Sequence, residues 1–151
     1  ATAATADGAD RLPDRNAQEW VERFPRTFRA AEWIVADEGP LADRAARAFL
    51  GLLAAVPDTL VATDHAPETA REASAEAREL LANGGAATET GSLPDADAVH
   101  AIDLDAAEAL AASFVEASIN PGTTADLTCA ALYVALRRGA DVATAAEEGR
   151  P

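Results

Sequence analysis

Apolar positions recur at helical spacing along almost the whole chain. Trp20, Val21 and Phe24 form a first short stripe behind Asp14, a residue type that caps helix starts. Phe24, Phe28, Ala31 and Val35 follow at i, i+4, i+7 and i+11, one face of a second helix. Pro25 suits its first turn, and Gly39-Pro40 ends it. Leu41, Ala45, Ala48, Phe49, Leu52 and Val56 mark a third helix, stopped by Pro57. Asp58 caps a short piece reaching about residue 63. Pro67 opens another helix to about residue 82, with Ala70, Ala73, Ala77, Leu80 and Leu81 inward; small residues there allow close packing. Residues 83–94 are rich in Gly, Thr and Ser and read as a loop. Helix resumes at Asp95 and restarts at Asp103, with Ala107, Leu110, Ala111, Phe114, Val115 and Ser118 inside. From Leu127 to Leu136 the chain is apolar on all sides, which predicts a buried helix over about 124–138. Arg137, Arg138 and Gly139 close it, and Asp141 can cap one last turn. No strand alternation and no repeat appears. The pattern predicts an all-α fold: an irregular multi-helix bundle around the C-terminal helix. It forms a single domain over 14–151, behind a flexible, aperiodic tail at 1–13.

At 151 residues the chain is long enough for a sizeable core. Its net charge is −14, from 26 acidic and 12 basic residues, and every basic residue is Arg. That balance disfavours nucleic acid and anionic membranes as partners, since both need a positive footprint. High acidity with abundant Ala is the surface style of salt-adapted proteins. Stability is therefore expected to rise with salt, which screens a self-repelling surface; equal melting temperatures at low and high salt would contradict this. Cys129 is the lone cysteine, so an internal disulfide and a cysteine-rich metal site are excluded. Its apolar surroundings predict a small buried hydrophobe. No apolar stretch reaches the roughly 18 residues of a membrane span, and no signal peptide is visible. A cytoplasmic location is expected.

The stretch that carries chemistry runs Asn120-Pro-Gly-Thr-Thr-Ala-Asp-Leu127. It is a turn opening into the apolar helix. Pro121 and Gly122 make the turn, and Thr123 or Thr124 can cap the helix. A helix start offers N–H groups and a positive dipole end to anions. Asp126 lies within the first turn, where a carboxylate beside an anion fits a bridging magnesium ion. Thr123-x-x-Asp126 also reads as a plain capping pair.

Ile119-Asn-Pro-Gly-Thr-Thr-Ala-Asp-Leu127, followed by Ala130-Ala-Leu-Tyr-Val-Ala-Leu136 and Gly139, resembles the C-terminal signature of the triphosphoribosyl-dephospho-CoA synthase family. Asp58-Thr-Leu-Val61 with His65 resembles that family's Asp-Thr segment. Phe24-Pro-Arg-Thr-Phe28, leading into Ala30-Ala-Glu-Trp-Ile34, resembles its archaeal branch. The three matches keep their order over about residues 16–139. Two positions depart from the pattern: Asp64 stands where Lys or Arg is usual, and Ala66 where Gly is usual. The family's Lys-Pro-Gly and Gly-Gly-Asn-rich segments have no counterpart between Ala1 and Gln18, so the chain is similar to the C-terminal half of the enzyme.

The resemblance implies a transferase that moves the 5-triphosphoribosyl group of ATP to 3'-dephospho-CoA, or a related nucleotide, with magnesium and release of adenine. It implies Asn120, Gly122, Thr123, Thr124 and Asp58 as nucleotide contacts, Asp126 as a magnesium ligand or the general base, Asp58 as a second magnesium carboxylate, and His65 as a proton donor or phosphate contact. Bland readings stand beside these. Asp126 and Asp58 also suit helix caps, His100 reads as filler, and Trp20 and Trp33 sit in stripes that favour the core over nucleobase stacking. The rival to an enzyme is a helical fragment without turnover. Such a fragment needs a missing N-terminal half or a second copy and at most binds magnesium nucleotide.

Overall fold

The computed structural model describes residues 14–81 and 91–142; the expected tail, most of the 83–94 loop and any turn after Asp141 lie outside them. Eight helices and no strand occur among the described residues. They are α1 (Arg15–Glu22), α2 (Pro25–Ala36), α3 (Leu41–Ala55), α4 (Thr59–Asp64), α5 (Pro67–Glu79), α6 (Ala96–His100), α7 (Leu104–Glu116) and α8 (Gly122–Arg137). The fold is all-α, as the apolar spacing requires.

Most helix boundaries follow from side-chain chemistry. Asp14 Oδ1 accepts the N–H groups of Asn16 and Ala17 and so starts α1. Asp103 starts α7 by accepting the Asp105 N–H. Pro25 and Pro67 open α2 and α5, where a missing N–H does no harm. Between α1 and α2 the chain turns through Arg23 and Phe24, both at positive φ. Phe24 has no capping side chain, and a carboxylate from the preceding helix substitutes. Glu19, 1% exposed, accepts the N–H groups of Arg26 and Thr27, the Thr27 hydroxyl and the Arg26 guanidinium.

Helix α3 is the scaffold, in contact with α2, α5, α6, α7 and α8. Its second half is buried on every side, from Ala48 through Ala55 apart from half-buried Phe49. Gly51 lets Trp33 lie against the backbone: a β-carbon there would sit 2.9 Å from the indole. The α5 face of Ala70, Ala73, Ser74 and Ala77 is small enough for α5 to approach closely, and Ser74 Oγ donates to the Leu53 carbonyl at 2.8 Å. Trp33, Ile34, Leu52, Leu53 and Val99 fill the centre. Truncating a buried aromatic such as Trp33 costs about 3–5 kcal/mol.

Several expectations about faces need correction. Trp20 is 75% exposed and Val21 is exposed too, because α1 buries Glu19 instead. Helix α2 is rotated from the expected stripe: Thr27, Ala30, Ala31 and Ile34 are inside, while Phe28 and Val35 lie at the rim. Helix α7 buries only Ala107 and Phe114 and leaves Val115 outside. Helix α8 turns Thr124, Leu127, Thr128, Ala131 and Ala135 inward, largely against α2 and α3. Its other face exposes Tyr133, Leu136 and Cys129, so the cysteine is not a buried hydrophobe. In an Ala-rich helix both faces look apolar in sequence, and the larger side chains found a rim rather than the centre.

Candidate functional site

The starts of three helices meet at one place. Asp58 follows Pro57 at the end of the buried α3 segment and is itself 1% exposed. Its Oδ1 accepts the N–H groups of Leu60 at 2.8 Å and Val61 at 3.1 Å, which caps α4. Its Oδ2 accepts the Thr124 N–H and the Thr124 hydroxyl, both at 2.7 Å, which caps α8 across 66 residues of sequence. The two oxygens thus take four donors, about the full acceptor capacity of a carboxylate.

Gly122 lets the two helices touch. A β-carbon on it would lie 2.4 Å from Leu60 Cδ2. Thr123 Oγ1 lies 3.2 Å from the Leu60 N–H, a second acceptor for that donor. Helix α8 begins at Gly122 after Pro121, so Thr123 and Thr124 are its second and third residues rather than caps. The capping pair between Thr123 and Asp126 does not form. Instead Asp126 Oδ2 accepts from Asn16 Nδ2 at 3.3 Å. Helix α1 arrives by a second link, the Arg15 N–H donating to Thr59 Oγ1 at 3.2 Å.

Between these helix starts lies an open groove of about 520 Å³, lined by Asp14, Asn16, Thr59, Leu60, Thr63, Asn120, Gly122, Thr123 and Asp126. The structure therefore brings Asn120, Gly122, Thr123 and Asp126 to one surface. Asp58 and Thr124 sit behind it, holding each other. His65 is not part of the lining: its Nε2 lies 2.9 Å from the Ser118 carbonyl, tying the end of α4 to the turn before α8. Ser118 has a positive φ of 56°, so that contact braces a bend unfavourable for a residue with a β-carbon. His100 is likewise engaged, its Nε2 2.9 Å from the Trp33 carbonyl. Trp33 is core, and Trp20 stacks edge-on against Phe24.

The groove is electrostatically mixed. Asp14 and Asp126 bring negative charge, and among the described residues the lining holds no Arg, Lys or His. Arg15 is close in sequence, but its guanidinium donates to Gln18 Oε1 at 2.7 Å. Burial, and then the neighbouring Arg26, lower its pKa from the usual arginine value, against an opposing pull from Glu22. The positive contribution comes from the helix starts. Several first-turn donors of α8 are already spoken for: Gly122 N–H by the Asn120 carbonyl, Thr124 N–H by Asp58, and Ala125 N–H by the Pro121 carbonyl. Among the described residues no group of three or more His, Cys, Asp or Glu side chains gathers to hold a metal ion. Asp126 is the exposed carboxylate of the α8 start and offers one ligand.

Sequence reasoning did not single out Asp14, Asn16, Thr59, Leu60 or Thr63 as groove residues. In the sequence Asp14 reads only as a cap, which it also is. Nothing local marks Asn16, whose partner lies 110 residues away. No helix among the described residues is long and apolar enough to cross a membrane.

A family model described as CitG, ATP:dephospho-CoA triphosphoribosyl transferase, matches residues 11–144. No curated protein and no solved structure matches the chain. The family match spans both the Asp58 segment and the turn into α8, and nearly all of the chain around them: the protein belongs to the ATP:dephospho-CoA triphosphoribosyl transferase family.

Proposed function

We propose that the groove at the start of α8 binds the triphosphate of ATP as its magnesium complex, and that the protein transfers the triphosphoribosyl group to dephospho-CoA with release of adenine. One observation carries the reading: the starts of α1 and α8 converge on a single open groove of about 520 Å³, beside the short α4. Helix starts attract anions even on a chain of net charge −14. Among the described residues the lining has no cationic side chain, and a polyphosphate that carries its own cation suits such a surface. Magnesium suits this surface, because it takes one or two carboxylates and completes its shell with phosphate oxygens and water. Asp126 is the carboxylate we assign to it. Asp58, saturated by four donors, positions Thr124 and Leu60 instead of holding metal.

In the transfer, a hydroxyl oxygen of dephospho-CoA forms a bond to C1′ of the ATP ribose. The C1′–N9 bond breaks, and adenine leaves with the electron pair. The hydroxyl gives up a proton to a base, and adenine takes one up. Asp126 is our proposed acceptor, with Asn120 and the Thr123 hydroxyl as phosphate or ribose contacts at the same surface. Bound magnesium would neutralise the triphosphate. His65 keeps the turn before α8 in place, a positioning part in this scheme. The reaction suits a cytoplasmic, salt-rich setting, where the acidic surface is screened.

A second reading is favoured by the same lack of cationic side chains among the described lining residues. The clamps for the triphosphate would then come from another polypeptide segment or a second copy, and this chain alone would bind magnesium-ATP weakly and not turn over. Calorimetric titration of magnesium-ATP in high salt, with wild type and Asp126→Ala, tests the site. Adenine release in the presence of dephospho-CoA tests the reaction. Binding weakened but still measurable in the variant, with adenine released by wild type, supports the first reading. Weak binding without release supports the second. No binding by either protein removes the nucleotide site from this groove.

A further inference from the structure

We infer that Asn16 is a positioning residue for Asp126, so that α1 completes the geometry of the nucleotide groove; the inference rests on the groove assignment above. The observation is a single bond with an orphan behind it. Asn16 Nδ2 donates to Asp126 Oδ2 at 3.3 Å, while Asn16 Oδ1 is buried without a hydrogen-bond partner. The opposite amide orientation would set a carbonyl oxygen against a carboxylate oxygen, so the donor faces Asp126. Native structures rarely leave a buried acceptor unpaired, so this one calls for an explanation.

The base of the Asn16 side chain is fixed. Its own N–H is held by Asp14 Oδ1 at 3.0 Å, and the next residue along, Ala17, is held by the same oxygen at 3.2 Å. The Arg15 N–H on Thr59 Oγ1 anchors the start of α1 to the start of α4. Asp126 is exposed and makes no bond to its own helix start, so without Asn16 its carboxylate is free to rotate. Holding one oxygen selects one rotamer and keeps the carboxylate facing the groove that both residues line. A partner of this kind behind a metal or nucleotide ligand is worth about 10- to 100-fold in affinity.

A double-mutant cycle on the full chain, read by calorimetry with magnesium-ATP as the probe, tests the assignment. Asn16→Ala is expected to weaken binding about 10-fold, and Asn16→Asp, which keeps the shape but loses the donor, at least as much. In an Asp126→Ala background, Asn16→Ala should add nothing, because its effect runs through Asp126. A purely structural role would instead lower the melting temperature and weaken binding equally in both backgrounds, which overturns the proposal. It is also overturned if Asn16→Ala binds within about twofold of wild type, or if Asn16→Asp binds more tightly, since the position then wants a cation ligand rather than a donor. If wild type does not bind magnesium-ATP, or Asp126→Ala binds as well as wild type, the groove assignment itself fails and takes this inference with it.

Discussion

Two buried carboxylates organise this molecule, and they do so differently. Glu19 and Asp58 are each 1% exposed and each takes four hydrogen bonds, Glu19 all at the start of the next helix and Asp58 two at its own helix start and two at that of α8. Glu19 acts over seven or eight residues and is neutralised by the Arg26 guanidinium at 3.0 Å. Asp58 acts over 66 residues, and among the described residues no cation pairs with it. A local carboxylate with a built-in counter-ion fixes a corner of the fold. A distant one held only by N–H and O–H dipoles joins two helix starts and leaves its negative charge just behind the groove surface. The first arrangement belongs to stability alone. The second couples stability to the shape of the site.

The sharpest test of that contrast is Asp58→Ala. It strands the N–H groups of Val61 and Thr124, leaves Leu60 only the longer bond to Thr123 Oγ1, and should cost about 3–5 kcal/mol in chemical denaturation. It should also abolish magnesium-ATP binding under conditions where the protein is still folded. Glu19→Ala should cost about 2–4 kcal/mol, because Arg26, 11% exposed, loses its carboxylate and keeps only the bond to Gln18 Oε1 at 3.3 Å. Its binding isotherm should match wild type; a lost isotherm in the folded variant breaks the distinction between the two carboxylates. The smallest effect is expected from Gly122→Ala, about 1–3 kcal/mol, since the new methyl meets the flexible end of Leu60 rather than backbone. In a Leu60→Ala background the same change should cost less than about 0.5 kcal/mol. An unchanged cost there means that contact with α4 is not what requires glycine.

The helices were legible because their starts are written in short polar signals. Asp14 and Asp103 cap as their positions suggest, and Pro25 and Pro67 open helices. Asp58 was legible as a cap for α4, but its hold on Thr124 was not, since no spacing rule links positions 66 residues apart. Glu19 was illegible for a related reason: it caps across a turn from inside the preceding helix, where a charged residue reads as solvated surface. Face assignment failed where apolar side chains run all round. Phe28 and Val35 carry more apolar area than Ala30 and Thr27, yet the smaller residues are inside, because close approach to α8 and α3 favours them. Of the site, the turn at 120–126 was visible and the contribution of α1 was not.

One carboxylate closing two helices also sets how the protein breathes. The Leu60, Val61 and Thr124 amides share Asp58 as their acceptor, so fraying at the start of either helix leaves donors of the other bound to a loosened partner. The two starts should open as one cooperative unit. In native-state hydrogen exchange these three amides are expected to share a single opening free energy, distinct from that of the Arg26 and Thr27 amides held by Glu19. A ligand that seats in the groove would then slow exchange at all three together, making the junction its own reporter of occupancy.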